Sequence, residues 1–211
     1  MNIRLVWITP DADSVIGYCA RVSNPANQAN PDVSKLLAYC AKHGHWSVFE
    51  MASVCIEIET TRDIGRQILR HRSFSFQEFS QRYAEADELG EAPARAARMQ
   101  DRKNRQSSLD CDDPILSLNW QTAQAQVRRA ALDTYRWAIN RGIAKEVARS
   151  VLPEGLTMSR MYASGTMRSW ITYLQQRLDA STQLEHREIA EQILALLREA
   201  APVTMGAFYD T

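Results

Sequence analysis

No excess of either charge runs through this sequence: 25 Lys and Arg balance 25 Asp and Glu. A global basic field that would gather a polynucleotide backbone is missing, which counts against bulk DNA or RNA binding. No stretch approaches the ~20 apolar residues that a membrane-spanning helix needs. The apolar run at the N-terminus, Met1 to Ile8, stops at Thr9-Pro10 and is too short for a signal peptide. Cysteine is sparse. Cys19, Cys40, Cys55 and Cys111 have neither zinc-knuckle nor redox-pair spacing, so they read as reduced, mostly buried thiols of a cytoplasmic protein. Histidine is scarcer in effect, since His186 stands among charges with no second ligand at a metal-binding spacing, and no metal is expected. Internal repeats and low-complexity tracts are absent.

What is present suits one buried core. The chain has 211 residues, 45% of them hydrophobic, which fits a single domain over 1–211. Residues 3–8 read as a short strand and 13–22 as a short helix. Asn30-Pro31 has the form of a helix start, with Val33, Leu36, Leu37 and Cys40 as its apolar face and Gly44 as its stop. Residues 54–60 alternate toward their end, as a strand with one wet face does. Thr61 is placed to cap a helix reaching Leu69. Residues 84–113 are polar and charged and read as a mobile excursion or lid. Pro114 to Arg141 is helical, with Leu116, Trp120, Ala123, Val127 and Ala130 as its apolar stripe. A further helix runs to the stop at Pro153, a strand covers 156–163, and Thr166 caps a helix to Arg177. Thr182 and Glu185 are spaced as a capping box before a helix whose buried face is Ile189, Ile193, Leu196 and Leu197. Glu185 to Glu188 read as its surface, and Tyr83 as a packing residue. Many helices and few strands give an α+β fold, helices around a small mixed or antiparallel sheet.

The densest polar stretch runs from Arg66 to Tyr83. Gln67 and Arg70 are three apart and share a helical face, and Arg70-His71-Arg72 fall where that helix ends. Ser80 and Arg82 are two apart, so in an extended segment they point the same way. Forked cations, hydroxyls and an amide are the groups that hold a phosphate and a planar heterocycle. The residues alone leave a plain alternative open, because basic side chains at a helix C-terminus are favoured by the dipole without any ligand. Phe74, Phe76 and Phe79 read first as one buried face, and Arg95 to Arg105 as a solvated loop.

Arg70-His71-Arg72 followed after seven residues by Ser80 resembles the signature of the flavin-dependent thymidylate synthases, with Gln67 before it and Arg82-Tyr83 after it. His45-Trp46-Ser47-Val48-Phe49-Glu50, Ala148-Arg149-Ser150-Val151-Leu152-Pro153, Arg168-Ser169-Trp170 and Arg177-Leu178-Asp179 with Gln183 and Glu185 are similar to further blocks of that family, in order, over nearly the whole chain. The resemblance implies dUMP held by Gln67, Arg70, Glu78, Phe79, Ser80, Arg82, Arg149 and Arg177, with Arg177, Arg70 and Ser80 nearest the chemistry. It implies FAD held by His45, Ser47, Glu50, Arg70, His71, Arg72, Ser73, Gln77, Glu78, Arg168 and Thr172. His45 is balanced between that role and closing the Gly44 turn. NADPH and 5,10-methylenetetrahydrofolate are the implied co-substrates. A homotetramer with sites at subunit interfaces is implied, Arg149 reaching the nucleotide from a neighbour. Met51, Gln77, Thr166 and Ser181 depart from the common family pattern, Met51 and Ser181 standing where imidazoles are usual. Two rival expectations remain: a flavin enzyme passing a methylene or hydroxymethyl group to a pyrimidine nucleotide, and a non-catalytic nucleotide- or RNA-binding module.

Overall fold

The computed structural model describes residues 1–210. Its elements in chain order are β1 (Asn2–Ile8), α1 (Ala12–Ala20), α2 (Ser34–Lys42), β2 (Ser53–Thr61), α3 (Arg62–Ile68), β3 (Ser75–Glu78), β4 (Arg98–Gln100), β5 (Ser108–Asp110), α4 (Pro114–Asn140), α5 (Lys145–Ala148), β6 (Met158–Thr166), α6 (Met167–Arg177), α7 (Leu184–Ala200) and α8 (Pro202–Tyr209). Four strands form one sheet in the order β1-β2-β6-β3. Thr9, just after β1, donates its N–H to the carbonyl of Ser53 at the start of β2, so these two strands run antiparallel. The α+β expectation is met. Among the described residues no helix is long and apolar enough to cross a membrane.

The chain gathers into two compact units. The first is Met1 with Glu59–Arg70 and Glu78–Met161; the second comprises Asn2–Ile58, His71–Gln77 and Tyr162 onward. In the first, Tyr135 and Ala138 of α4 close over Ala86 and Ala148. The Tyr135 hydroxyl accepts the Ala86 N–H at 3.1 Å, so the buried phenol is not left unpaired. Residues 84–113 are not structureless: β4 and β5 pair antiparallel, Met99 opposite Leu109. The Arg95 guanidinium is ion-paired with Asp63 at 2.7 Å rather than solvated. Tyr83, expected to pack, is 86% exposed.

The helix α4 forms where its period placed it. Its apolar stripe, which marked the helical period, does not face the core: Trp120 is 46% and Val127 53% exposed, with Leu116 and Ala130 also outward. What α4 buries instead is Gln124, Tyr135 and Ala138. The helix expected through Val147 and Val151 to Pro153 is a single turn, α5, followed by a 3-10 turn, Arg149–Val151.

In the second unit the core is built by Ile16, Leu37, Phe49, Trp170, Ile171, Ile189, Ile193, Leu197 and Met205, all at or near zero exposure. α1 approaches Val33 so closely that a Cβ on Gly17 would lie 2.2 Å from Val33 Cγ1. α8, which the sequence pattern did not suggest, starts at a buried end with no cap of its own. The Asp13 carboxylate of α1 supplies it, accepting the N–H groups of Val203 and Thr204 at 2.9 Å each. An anion at a helix N-terminus satisfies orphan donors and meets the favourable end of the dipole.

Several boundaries move for identifiable reasons. α2 begins at Ser34, not at Asn30-Pro31, because Asn30 accepts the Asp32 N–H and Asp32 the Ser34 N–H through their side chains. Asx turns of this kind compete with helix. β2 has no wet face over most of its length: Glu57 is 6% exposed, its carboxylate held by Arg4. The Thr61 hydroxyl donates to Asp63 and caps no amide. β6 begins two residues later than expected and reaches Thr166, whose hydroxyl does cap α6 through the Ser169 N–H. The capping box before α7 does not form, since Gln183 takes the cap position and bonds the Glu185 carboxylate. Glu185 and His186, read as surface, are buried at 8% and 0% exposure.

Candidate active site

In the first unit α3 carries Gln67 and ends in a turn at Leu69 and Arg70. Arg70 is exposed, with no hydrogen-bond or ion-pair partner among the described residues. The segment after β3 is not extended, as its spacing suggested. The Ser80 carbonyl accepts the N–H groups of Tyr83 and Ala84, which makes a turn of residues 80–84. The Ser80 hydroxyl faces the Arg82 N–H at 3.4 Å. Arg82 itself is exposed and ion-paired with Glu146 of α5 at 3.3 Å. Lys145 donates to the Tyr83 carbonyl at 2.9 Å, tying α5 to this turn. Arg149 follows on the same segment with its side chain half-buried and unpaired among the described residues.

Glu78 is occupied within the protein. Its Oε1 accepts the Ser159 hydroxyl at 2.8 Å and lies 3.6 Å from the Arg62 guanidinium, itself only 9% exposed. Phe79 donates its N–H to the Arg160 carbonyl at 2.8 Å, so sheet pairing uses that main-chain donor. Arg62 and Ser159 escaped the sequence reading because nothing in their local spacing announces that β6 and α3 converge on Glu78.

In the second unit α6 is the main scaffold. Arg168 at its first turn is ion-paired with Glu50 of the 3-10 turn Trp46–Glu50. Thr172, one turn on, donates its hydroxyl to the Ser169 carbonyl at 2.9 Å. The Ser169 hydroxyl donates to the Ser73 carbonyl at 3.1 Å, tying the motif segment to α6. Phe74 packs its ring on Trp170 at 4.5 Å, and a Cβ at Gly165 would strike that ring at 2.6 Å. Arg72 is exposed and has no partner among the described residues. Ser47 and Gln77 are exposed.

At the other end of α6, Arg177 donates its Nε–H to His71 Nε2 at 2.9 Å. An acceptor at Nε2 requires an unprotonated nitrogen there, so a neutral His71 carries its proton on Nδ1. Behind this contact His186 meets the Tyr173 hydroxyl at 3.0 Å. Burial, then the Arg177 charge, push His186 down to about 3. Burial raises Tyr173 above the usual phenol range against the opposing pull of Arg177. Tyr173 was not singled out from the sequence, and His186 was read as helix surface. The signal was there for both: Tyr173 is one turn before Arg177, and His186 extends the buried face of Ile189, Ile193 and Leu197 by a step of three.

His45 closes the Gly44 turn and leaves its ring outward. Its N–H donates to the Cys40 carbonyl at 2.9 Å, closing α2 after Gly44 at φ 67°, while its exposed ring stands 5.7 Å from Tyr39. Of the departures, Met51 is 48% exposed after the 3-10 turn. Ser181 donates twice to Asp179, which lowers that carboxyl's pKa.

The donor sets suit anionic, planar ligands: an acceptor-held guanidinium, hydroxyls, and two exposed arginines without carboxylate partners. Comparison with known proteins agrees. Residues 4–203 match the family described as thymidylate synthase complementing protein. The flavin-dependent thymidylate synthase of Synechocystis sp. is 53% identical over 98% of this chain and 99% of its own length. The probable flavin-dependent thymidylate synthase of Paramecium bursaria Chlorella virus 1 is 48% identical over 90% of both chains. Among solved structures, a UMP/dUMP methylase of Streptomyces cacaoi bound with 5-Br UMP superposes with a TM-score of 0.86 at 26% identity, covering 99% of this chain and 93% of that one. The same enzyme bound with 5-Br dUMP gives 0.83 at 27% identity, covering 99% and 94%. The chain therefore belongs to the flavin-dependent thymidylate synthase family.

Proposed function

We propose that this chain makes dTMP from dUMP by reductive methylation as one catalytic domain in the cytoplasm, the methylene coming from 5,10-methylenetetrahydrofolate. FAD, kept reduced by NADPH, supplies when bound the hydride that completes the methyl group. The observation that carries the reading is Arg177, a guanidinium anchored through Nε with its other nitrogens open. A fixed cationic fork against a uracil carbonyl stabilises the enolate charge that develops as C5 becomes nucleophilic. Arg82, Ser80 and Arg149 take the phosphate, Gln67 and Arg70 orient the nucleotide, and the chain near Glu78 and Phe79 shapes that side. Binding dUMP exchanges the Glu146 carboxylate on Arg82 for a phosphate.

Flavin binding is assigned to Arg70, Arg72, His71, Ser73, Gln77 and Glu78 from the motif segment, with Arg168, Thr172, Glu50, Ser47 and His45. Arg70 and Arg72 fit a pyrophosphate because no carboxylate competes for them. No enzyme nucleophile is needed: burial raises the Cys40 and Cys55 thiols, the opposite of activation. Self-association, as a tetramer, is supported by the outward apolar stripe of α4, where Leu116, Trp120 and Val127 lie exposed on one helix.

The test is the visible spectrum of the purified protein, then reduction by NADPH with and without dUMP, then product analysis. Flavin bands bleached faster with dUMP, and folate-dependent dTMP, support the reading. A hydroxymethylated product moves it to the related transferase. A protein that takes up no FAD returns the site to nucleotide or RNA binding. Since the Streptomyces cacaoi neighbour is called a UMP/dUMP methylase, UMP belongs in the same assay, and turnover of UMP equal to dUMP would widen the substrate.

A further inference from the structure

Beneath the contact between His71 and Arg177 lies a polar pair that no nucleotide or flavin assignment uses. His186 of α7 is fully buried and its Nε2 lies 3.0 Å from the Tyr173 hydroxyl. Tyr173, also buried, sets its ring 4.9 Å from His71 at 68°, an edge-on contact. His71 and His186 stand 6.5 Å apart and nearly perpendicular, at 88°. Phe74 completes the ring cluster, 6.4 Å from His71 and 6.1 Å from Tyr173. An all-apolar set would fill this volume without the desolvation cost that a buried phenol and imidazole carry. The polar pair is tolerated because each partner satisfies the other, and a satisfied network is stiffer than loose apolar packing.

The charge state of the cluster follows from its neighbours. The titratable and charged groups facing it are Arg177 and Tyr173 from α6, His186 and the adjacent buried Glu185 from α7, and His71 from the motif segment. Burial together with the Arg177 charge keeps His186 neutral, and burial keeps Tyr173 protonated. No second charge therefore arises from this pair under Arg177 at working pH, and its hydrogen bond persists. The Arg177 guanidinium has one hydrogen-bond partner among the described residues, and it is His71.

We propose that Tyr173 and His186 are positioning residues for Arg177: as a buried, hydrogen-bonded pair they hold the His71 ring, whose Nε2 grips the Arg177 Nε–H and leaves both terminal nitrogens for the substrate. This rests on the reading of Arg177 as the group that meets the pyrimidine. The geometry matters because a misplaced charge-stabilising group loses rate steeply, about a hundredfold for a displacement near 1 Å.

The test uses the FAD-loaded protein. Tyr173→Phe keeps the ring and removes the hydroxyl that meets His186 Nε2. Tyr173→Phe combined with His186→Leu replaces the pair by apolar groups. Both are assayed for dTMP formation and for acceleration of flavin reduction by dUMP, at a temperature where thermal melts show full folding. The expected result is a fall in kcat/KM for dUMP of about tenfold or more in the single variant, with FAD content unchanged. The double variant is expected to regain the melting temperature but not kcat/KM. Recovery of kcat/KM along with the melting temperature would reduce the pair to packing and overturn the proposal. A wild-type protein that forms no dTMP would instead defeat the reading of the reaction itself. Ring 15N resonances of the wild type give an answer even where the variants do not fold. His186 is expected to stay neutral between about pH 5 and 8, with His71 protonated at Nδ1. A proton on His71 Nε2 overturns the proposal.

Discussion

The two units treat their arginines in opposite ways. In the first, Arg82 is exposed and held by an equally exposed carboxylate, Glu146. In the second, Arg177 is half-buried and held by an uncharged ring, His71, backed by Tyr173 and His186. An exposed ion pair is worth little and exchanges readily, so Arg82 can release Glu146 and accept a phosphate. A guanidinium tied to a neutral acceptor beside buried rings is held in place by the protein itself, which is what the proposed role of Arg177 in the reaction requires. One arrangement suits capture and the other suits charge stabilisation.

The sharpest way to break this contrast is to remove the fixed arginine. Arg177→Ala is expected to lower kcat for dTMP by a factor on the order of a hundred to a thousand, the usual cost of one preorganised charge-stabilising donor. FAD content should be unchanged; a loss below tenfold in single-turnover assays would remove Arg177 from the chemistry. Next in size is the outward stripe of α4. Trp120→Glu with Val127→Glu should shift the protein to smaller species in sedimentation, and dTMP formation should fall with it if Arg149 completes a neighbour's site. Unchanged sedimentation would mean that the stripe covers no subunit interface.

Stability against pH separates the buried network from the exposed pair. His186 has its folded pKa depressed to about 3. As pH falls below the ordinary histidine value of about 6.5, the unfolded chain takes up a proton that the folded chain refuses. The folded state therefore loses stability on acidification, up to about 1.4 kcal/mol per pH unit from this residue, until the folded pKa is reached. His186→Leu should flatten that part of the wild-type curve in urea melts at about pH 6.5, 5.5 and 4.5, whereas Glu146→Gln should leave it in place. The smallest effect is at the exposed pair. Glu146→Gln frees Arg82 and should tighten dUMP binding by a few-fold at low salt, with the gain fading as salt screens the original pair. Weaker binding would mean that Glu146 holds Arg82 in its productive place.

Much of the fold was legible where local physics is strong. Gly44 ends α2 at positive φ, Thr166 caps α6, and the step of Ile189, Ile193 and Leu197 is buried as its periodicity requires. The readings that failed did so where a distant partner changed a residue's surroundings. Glu57 is buried because Arg4 reaches it and His186 because Tyr173 meets it, while α8, which no reading covered, starts where Asp13 can cap it, and the apolar stripe of α4 faces outward. Periodicity reports that a stripe is apolar, not what covers it.

The sequence by itself determined the chemical inventory: the Arg70-His71-Arg72 and Ser80 signature, the ordered blocks that place the chain in its family, and the α+β class. These depend on residue identity and short spacing, which the chain carries whatever its shape. Only the tertiary structure decided what each arginine is tied to. It set His71 under Arg177 and His186 under Tyr173 across 106 and 13 residues of chain. It also turned residues 80–84 into a turn with Arg82 on Glu146. A side chain's charge state and orientation follow from burial and partners, and those exist only once distant segments have packed.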